Sequence, residues 1–333
     1  MHDIHEITVS GLTKKFDGFT ALDNISFQVE SGELFGLLGP NGAGKTTTIN
    51  ILSTLLKQTS GSASVAGYDV SADKSLVRKN IGIVFQDPAL DNKLTGMENL
   101  EFHGMLYGMN CRDRKKTIAE VLELVELSDK ASLLVEKYSG GMKRRLEIAR
   151  GLIHKPRVLF LDEPTLGLDV QTRRHIWAYI NKLIKDHKMT IILTTHYLEE
   201  ADFLCGRIAI IDRGKILALD TPSNLKNSLG GDVVSLRIDG PLEGLREKLE
   251  KVAWIRESAE QDGALVLTLE KAEERLPALI GLVHAEGLGI ITVNYHKPSL
   301  DDVFLHFTGK TIRDGEQDKK GMMRNSFQAR SRR

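Results

Sequence analysis

Gly39-Pro40-Asn41-Gly42-Ala43-Gly44-Lys45-Thr46 decides the fold through what stands on either side of it. The apolar run Leu34-Phe35-Gly36-Leu37-Leu38 comes before it, and a segment of helical pattern, Thr47 to Leu56, comes after. Strand, glycine-rich turn and helix is the order that points consecutive main-chain N–H groups at phosphate oxygens, with the positive end of the helix behind them. In such a loop Lys45 reaches the β- and γ-phosphates of a nucleotide, and Thr46 offers its hydroxyl to Mg²⁺. A glycine-rich turn that merely caps a helix needs no ligand, but this one has the strand and helix that phosphate binding demands. A dinucleotide site is disfavoured, because the Gly-x-Gly-x-x-Gly spacing is missing.

Working outward, Val158 to Leu161 and Ile191 to Leu193 are further short apolar runs bounded by polar residues, Gly or Pro. Runs that are apolar on both faces predict buried parallel strands, so the first two thirds of the chain reads as α/β. The run at Val158 ends in Asp162-Glu163-Pro164-Thr165. The C-terminal edge of a parallel sheet is where ligands bind, which places Asp162 near a metal shell and Glu163 beside a water aimed at the γ-phosphate. From about Pro88 to Arg150 strand signals thin out, and Ile118, Val121, Leu122 and Val125 fall at helical spacing. That stretch predicts an inserted helical subdomain at about 88–150.

The bulk composition excludes several classes. With 333 residues, 41% of them hydrophobic and 27% charged, the chain has material for two cores, one large and one small. Lys+Arg and Asp+Glu both number 45, so overall charge points to no nucleic-acid partner. Cys111 and Cys205 lack metal-ligand spacing and suit a reducing cytoplasm. The N-terminus has no signal-peptide pattern, and no apolar run approaches the roughly 20 residues of a membrane helix.

After Asp220-Thr-Pro-Ser the pattern changes. Val234, Leu236 and Ile238 alternate; Leu242, Leu245, Leu249 and Val252 step helically; Trp254-Ile-Arg is a weaker strand; Leu265, Leu267 and Leu269 alternate. Leu276, Leu279, Ile280 and Val283 step helically again, and Ile291, Val293 and Tyr295 alternate. That order, β-α-β-β-α-β, predicts a split βαβ unit over 231–309. Ser299 is placed to cap a last helix whose face is Leu300, Val303, Phe304 and Phe307. Residues 310–333 carry eight Lys/Arg against three Asp/Glu and predict a disordered basic tail. Such a tail is either solvated or able to touch anionic lipid.

Between the two chemical segments lies Tyr138-Ser139-Gly140-Gly141-Met142-Lys-Arg-Arg-Leu, which resembles the signature of ATP-binding-cassette (ABC) ATPases and is absent from other P-loop enzymes. The resemblance continues in order and spacing through Gln86 after Ile81-Gly-Ile-Val-Phe, Gly167-Leu168-Asp169, and His196 after Ile191-Ile-Leu-Thr-Thr, and covers about residues 5–225. Phe16 falls where the family stacks an aromatic ring on adenine. Met142 stands where Gln is commoner in the family, and Phe16 where Tyr is frequent.

The resemblance implies a P-loop NTPase (RecA-like) cassette at 1–225 with ATP and Mg²⁺ as ligands. Phe16, Gly39, Pro40, Asn41, Gly42, Ala43, Gly44, Lys45, Thr46, Thr47, Gln86, Ser139, Gly140, Gly141, Asp162 and Asp169 would then form the nucleotide set. Thr46, Gln86 and Asp162 would meet the metal, and Lys45, Glu163 and His196 would serve hydrolysis. It also implies a head-to-tail pair with itself or a similar subunit, since each motif occurs once. Pro298-Ser-Leu-Asp-Asp-Val-Phe-Leu305 with Phe307-Thr-Gly309 resembles the C-terminal extension of daunorubicin/doxorubicin-resistance exporter ATPases. On that likeness the chain works peripherally at the cytoplasmic face of the cell membrane, driving export of a drug, lipid or polysaccharide through a separate multi-span permease. Residues 231–309 either cover and stabilise the ATPase or serve regulation and dimer contact. The alternative is a soluble cassette ATPase that remodels ribosomes or DNA, whose members carry two cassettes or a long coiled-coil insertion; this sequence has neither.

Overall fold

The computed structural model describes residues 5–240, 243–249, 251–261 and 263–308. Leu242, expected on a helical face, and the basic tail expected at 310–333 lie outside the described residues. The described chain forms two compact units that divide between Asp220 and Thr221.

The first unit contains two sheets. β1 (His5–Phe16), β2 (Phe19–Glu30), β4 (Ser60–Val65) and β5 (Tyr68–Asp69) make an antiparallel sheet in the order β2-β1-β4-β5. The sequence reading passed over this sheet. Its long β2 alternates buried and exposed residues from Ser26 to Glu30, as a strand does when one face is covered. The second sheet orders β10-β9-β3-β8-β7-β6, from β3 (Leu34–Leu38), β6 (Ile81–Val84), β7 (Val158–Asp162), β8 (Thr190–Thr195), β9 (Arg207–Asp212) and β10 (Lys215–Asp220). Five of these run parallel, and β10 closes one edge antiparallel to β9. β3, β7 and β8 are buried at every residue, which is why Leu34–Leu38, Val158–Leu161 and Ile191–Leu193 within them read as apolar runs. One core joins the sheets: Ile7, Val9, Phe27 and Val29 meet Phe35, Leu37, Phe160 and Ile192, and the rings of Phe27 and Phe35 stack at 5.1 Å.

Helices fill the crossovers. α1 (Lys45–Leu52) starts two residues earlier and ends four earlier than the apolar pattern predicted, because Ser53 accepts the terminal role and Thr54 turns left-handed. α2 (Lys74–Asn80) leads into β6. The inserted helical region holds α3 (Gly96–Leu106), α4 (Cys111–Leu124) and α5 (Gly140–Leu152). Thr95 and Glu98 form a reciprocal capping box at the start of α3. Ile118, Val121, Leu122 and Val125 are buried as their spacing predicted. α6 (Val170–His187) and α7 (Leu198–Leu204) follow β7 and β8.

The second unit begins with α8 (Pro222–Asn227), capped by Thr221 with proline in its first turn. β11 (Asp232–Asp239), α9 (Glu243–Leu249), β12 (Ile255–Gln261), β13 (Ala264–Leu269), α10 (Ala272–Ala285) and β14 (Gly289–His296) follow in the β-α-β-β-α-β order. The sheet order is β12-β13-β11-β14, all antiparallel, a ferredoxin-like arrangement. Val234, Leu236, Leu265, Leu267, Leu279 and Val283 make its core. β14 corrects the expected alternation. A register shift beside Ile238 leaves Ile291 59% exposed and turns Ile290 to the core with Val293, while Tyr295, paired with Val234, is 44% exposed on the edge strand. Ser299 caps α11 (Leu300–Thr308), and its hydroxyl and main-chain N–H both donate to Asp302. Leu300, Val303 and Phe304 are buried, but Phe307 lies at the end of the helix and is exposed.

A close approach sets the position of α5. A methyl group added at Gly82 in β6 would sit 2.2 Å from the carbonyl oxygen of Gly151 in α5. Gly82→Ala should therefore destabilise the nucleotide-free protein by about 1–3 kcal/mol, read as a fall of several degrees in Tm. An unchanged Tm would mean that the two elements part without cost.

Candidate nucleotide site

The ends of β3, β7 and β8 bring three loops together at one sheet edge. Parallel pairing aligns Leu38 with Thr195 and Asp162 with Thr194, so Gly39, Glu163 and His196 follow neighbouring strands. The Gly39 N–H donates to Thr195 O at 3.2 Å. A Cβ at Gly39 would lie 2.1 Å from Ile211 O, so only glycine fits there. Gly44 precedes α1 at φ 114°, and a Cβ on it would strike Leu22 and Ala21 O. No side chain caps α1, so its positive end faces the loop without a capping oxygen.

Lys45 is 4% exposed. Its Nζ donates to Gly39 O at 2.7 Å and Pro40 O at 3.2 Å, and lies 3.1 Å from Glu163 Oε1. The other Glu163 oxygen, Oε2, is 3.0 Å from His196 Nδ1. Burial pushes the Glu163 carboxyl up, but the His196 hydrogen bond and the Lys45 charge together outweigh it and hold the group below the usual carboxylate value. At neutral pH it is a carboxylate, able to polarise a water. Its backbone is left-handed, φ 48°, a conformation that costs a side-chain-bearing residue about 1–3 kcal/mol and gathers at functional sites. Hydrogen bonds from the Glu163 N–H to Thr194 O and Oγ1, both 3.1 Å, hold it there.

Asp162 is buried at the strand end, where Oδ1 accepts from the hydroxyl of Thr194 and, at 3.4 Å, from that of Thr46. Thr46 is exposed, Thr47 half-buried and Asn41 exposed at the loop tip. Gln86 is exposed just beyond β6, on the strand paired with β7.

Other predicted residues sit on separate elements. Ser139 caps α5, its Oγ accepting from Met142 N at 3.2 Å, and Ser139 and Gly140 are exposed at the helix tip. Gly141 faces Thr172, whose methyl would be 2.5 Å from an added Cβ. Asp169 caps α6 through Thr172 N and Oγ1 at 2.9 and 2.7 Å, and those bonds lower its carboxyl pKa. Phe16 ends β1 with its ring 46% exposed and Lys14 Nζ 4.8 Å from the ring centre.

The sequence reading missed the charged side chains behind these loops. Arg144 and Glu147 are buried, and so is Glu200, which accepts from Thr165 Oγ1 at 2.8 Å and Trp177 Nε1 at 2.9 Å. A signal existed for two of them: Arg144, Glu147 and Gly151 share the stripe of α5 that buries Ile148 and Leu152.

Comparison with known proteins agrees with this geometry. Residues 22–166 match the family described as ABC transporter, and residues 221–308 match the DrrA1-3-like ATP-binding protein C-terminal domain. The chain is 39% identical over 311 residues to the linearmycin resistance ATP-binding protein LnrL of Bacillus subtilis (strain 168), covering 92% of this chain and 100% of that one. It is likewise 39% identical over 312 residues to the daunorubicin/doxorubicin resistance ATP-binding protein DrrA of Streptomyces peucetius, covering 92% and 94%. A Nod factor export ATP-binding protein I from Ralstonia nicotianae is 38% identical, with 92% and 95% covered. Among solved structures, a dimeric post-hydrolysis ATP-binding cassette bound to ADP and Pi aligns at TM-score 0.58 and 29% identity, over 65% of this chain and 98% of that one.

The chain belongs to the ABC transporter ATP-binding proteins, in the branch with a DrrA-like C-terminal domain. It binds ATP, hydrolyses it, and is the ATP-hydrolysing subunit of an exporter, as the motifs implied; the relatives named above are resistance and export proteins. Lys45→Ala should weaken ATP binding about 10- to 100-fold, the worth of a charge-assisted hydrogen bond of roughly 1.5–3 kcal/mol, as titration calorimetry would read. Unchanged affinity would remove Lys45 from phosphate binding.

Proposed function

We propose that two copies of this chain, or this chain and a similar subunit, close head to tail on two Mg-ATP and so drive export through a separate multi-span permease. The observation that carries the reading is the pairing of the buried Lys45–Glu163–His196 cluster with an exposed Ser139-Gly140 helix tip on a different element. Each half supplies one side of a phosphate site, and the chain has one copy of each.

In this reading the Gly39–Thr47 loop holds the β- and γ-phosphates through main-chain N–H groups and Lys45, and Phe16 stacks on the adenine. Ser139, Gly140 and Gly141 of the partner grip the γ-phosphate, with Asp169 shaping the seam. The Glu163 carboxylate polarises a water, whose oxygen bonds to the γ-phosphorus as the bond to the β,γ-bridging oxygen breaks; His196 steadies the γ-phosphate and the water. The hydroxyl of Thr46 and carboxylate of Asp162, 3.4 Å apart and both hard oxygen donors, suit Mg²⁺, with the amide oxygen of Gln86 as a third ligand. Bound there, the ion neutralises phosphate charge. Once the phosphate has left, ADP alone does not bridge the halves, and the pair opens.

Of the described residues, those up to Asp220 are the motor, and residues 221–308 are an accessory unit for stability, regulation or dimer contact. Among the described residues no helix is long and apolar enough to cross a membrane. The relatives' names, ATP-binding proteins of resistance and export systems, support a separate spanning partner, with this chain peripheral at the cytoplasmic face. Of the drug, lipid and polysaccharide cargoes, the relatives named for linearmycin and daunorubicin/doxorubicin resistance support the first.

Glu163→Gln tests the scheme. Phosphate release should drop about 10²–10⁴-fold, the range of a lost general base, while Mg-ATP converts the variant to a species of doubled mass by light scattering. A variant that turns over at the normal rate overturns the reading, and one that stays monomeric in saturating Mg-ATP overturns pairing with itself.

A further inference from the structure

Three charged side chains on one face of α5 bind the ends of the strands that carry the chemistry. Arg144 is 8% exposed, and its guanidinium donates to three main-chain carbonyls. Nε meets Pro164 O at 2.6 Å, Nη2 meets Asp162 O at 3.1 Å, and Nη1 meets Phe85 O at 2.6 Å. The first two flank Glu163 and the third immediately precedes Gln86. One turn further on, Glu147 is fully buried, and its Oε1 accepts from the N–H of Ala89 at 2.7 Å. Its Oε2 pairs with Arg150 at 2.9 Å, and Arg150 Nη1 donates to Ala89 O at 3.2 Å. The exposed Gln86-Asp87-Pro88 segment is therefore gripped at both ends, Phe85 and Ala89, by the same helix.

That helix begins at Ser139, the tip assigned above to the partner's nucleotide. About 10 Å of α-helix separates the tip from Glu147, at 1.5 Å per residue, and packed helices move as bodies rather than bending. We propose that Arg144, Glu147 and Arg150 make α5 a positioning linkage, through which the nucleotide at the signature tip sets the placement of Glu163 and Gln86 in the chain's own site. The two sites of a pair are then coupled, each completed by the state of the other. Burying an arginine among carbonyls serves this role because a planar fork holds three acceptors in fixed directions, whereas an ammonium presents one point charge. The inference rests on the head-to-tail reading and adds to it the side chains that carry the coupling between its two sites.

The test uses the full chain. Steady-state hydrolysis by the wild type should rise sigmoidally with ATP. Arg144→Lys, which keeps charge but not the fork, should lower kcat about 10- to 100-fold, as a misplacement near 1 Å does, and bring the Hill coefficient to about 1. Affinity for ATP in the Glu163→Gln background should change by less than about threefold, and that background should still dimerise. Glu147→Met, which frees Ala89, should reproduce the kcat and Hill losses, and Glu147→Gln, which keeps an acceptor, should restore them. Wild-type kcat and Hill coefficient in both Arg144→Lys and Glu147→Met overturn the linkage. So does a fall in ATP affinity matching the fall in rate, because that is damage to the fold. Failure of the Glu163→Gln background itself to dimerise strikes the head-to-tail reading instead. Should Arg144→Lys not fold, the two Glu147 variants decide alone.

Discussion

A single ion pair organises the catalytic edge of this protein: Lys45 Nζ against Glu163 Oε1 at 3.1 Å, with both groups almost wholly withdrawn from water. Two charges buried together are tolerable only with further hydrogen bonds around them. Gly39 O and Pro40 O supply them on the lysine side and His196 on the glutamate side. Those partners come from the ends of three adjacent parallel strands, so the pair can exist only if β3, β7 and β8 are in register. The glycines follow from the same constraint. The loop must curl back far enough to offer Gly39 O to its own lysine, and nothing larger than hydrogen fits beside Ile211 O.

Much of this was legible in the sequence, for reasons that can be stated residue by residue. Val158–Leu161 and Leu34–Leu38 read correctly because strands buried on both faces must be apolar throughout. The loop and the Asp162-Glu163 pair were legible because phosphate chemistry dictates residue types at fixed spacing. The antiparallel β1–β2 sheet was not, since its half-buried strands mix polar and apolar residues with several register shifts. Arg144 and Glu147 were hidden because a charge on a helix is ordinarily solvated. Only the tertiary fold reveals that their partners include backbone atoms up to 59 residues away, the separation of Phe85 and Arg144. In β14 a register shift, invisible to a period-two pattern, exchanged Ile291 for Ile290.

The second unit is built on different rules. Its sheet is covered by α9 and α10 on the face that carries Val234, Leu236, Leu265 and Leu267, and its sequence alternates accordingly. Its order, with β11 between β13 and β14, puts β14 at one edge and β12 at the other. The two edges differ in chemistry. β12 bears Arg256, Glu257 and Glu260, charges of the kind that discourage strand addition, whereas Gly289–His296 bears no Lys, Arg, Asp or Glu.

The contact between Lys45 and Glu163 also fixes the charge that a phosphate group meets at this loop. The ammonium and the carboxylate lie 3.1 Å apart, so a polyphosphate drawn toward the one is repelled by the other, and its net pull is a difference between two opposed forces. Recognition at such a place falls to directional donors as much as to bare charge.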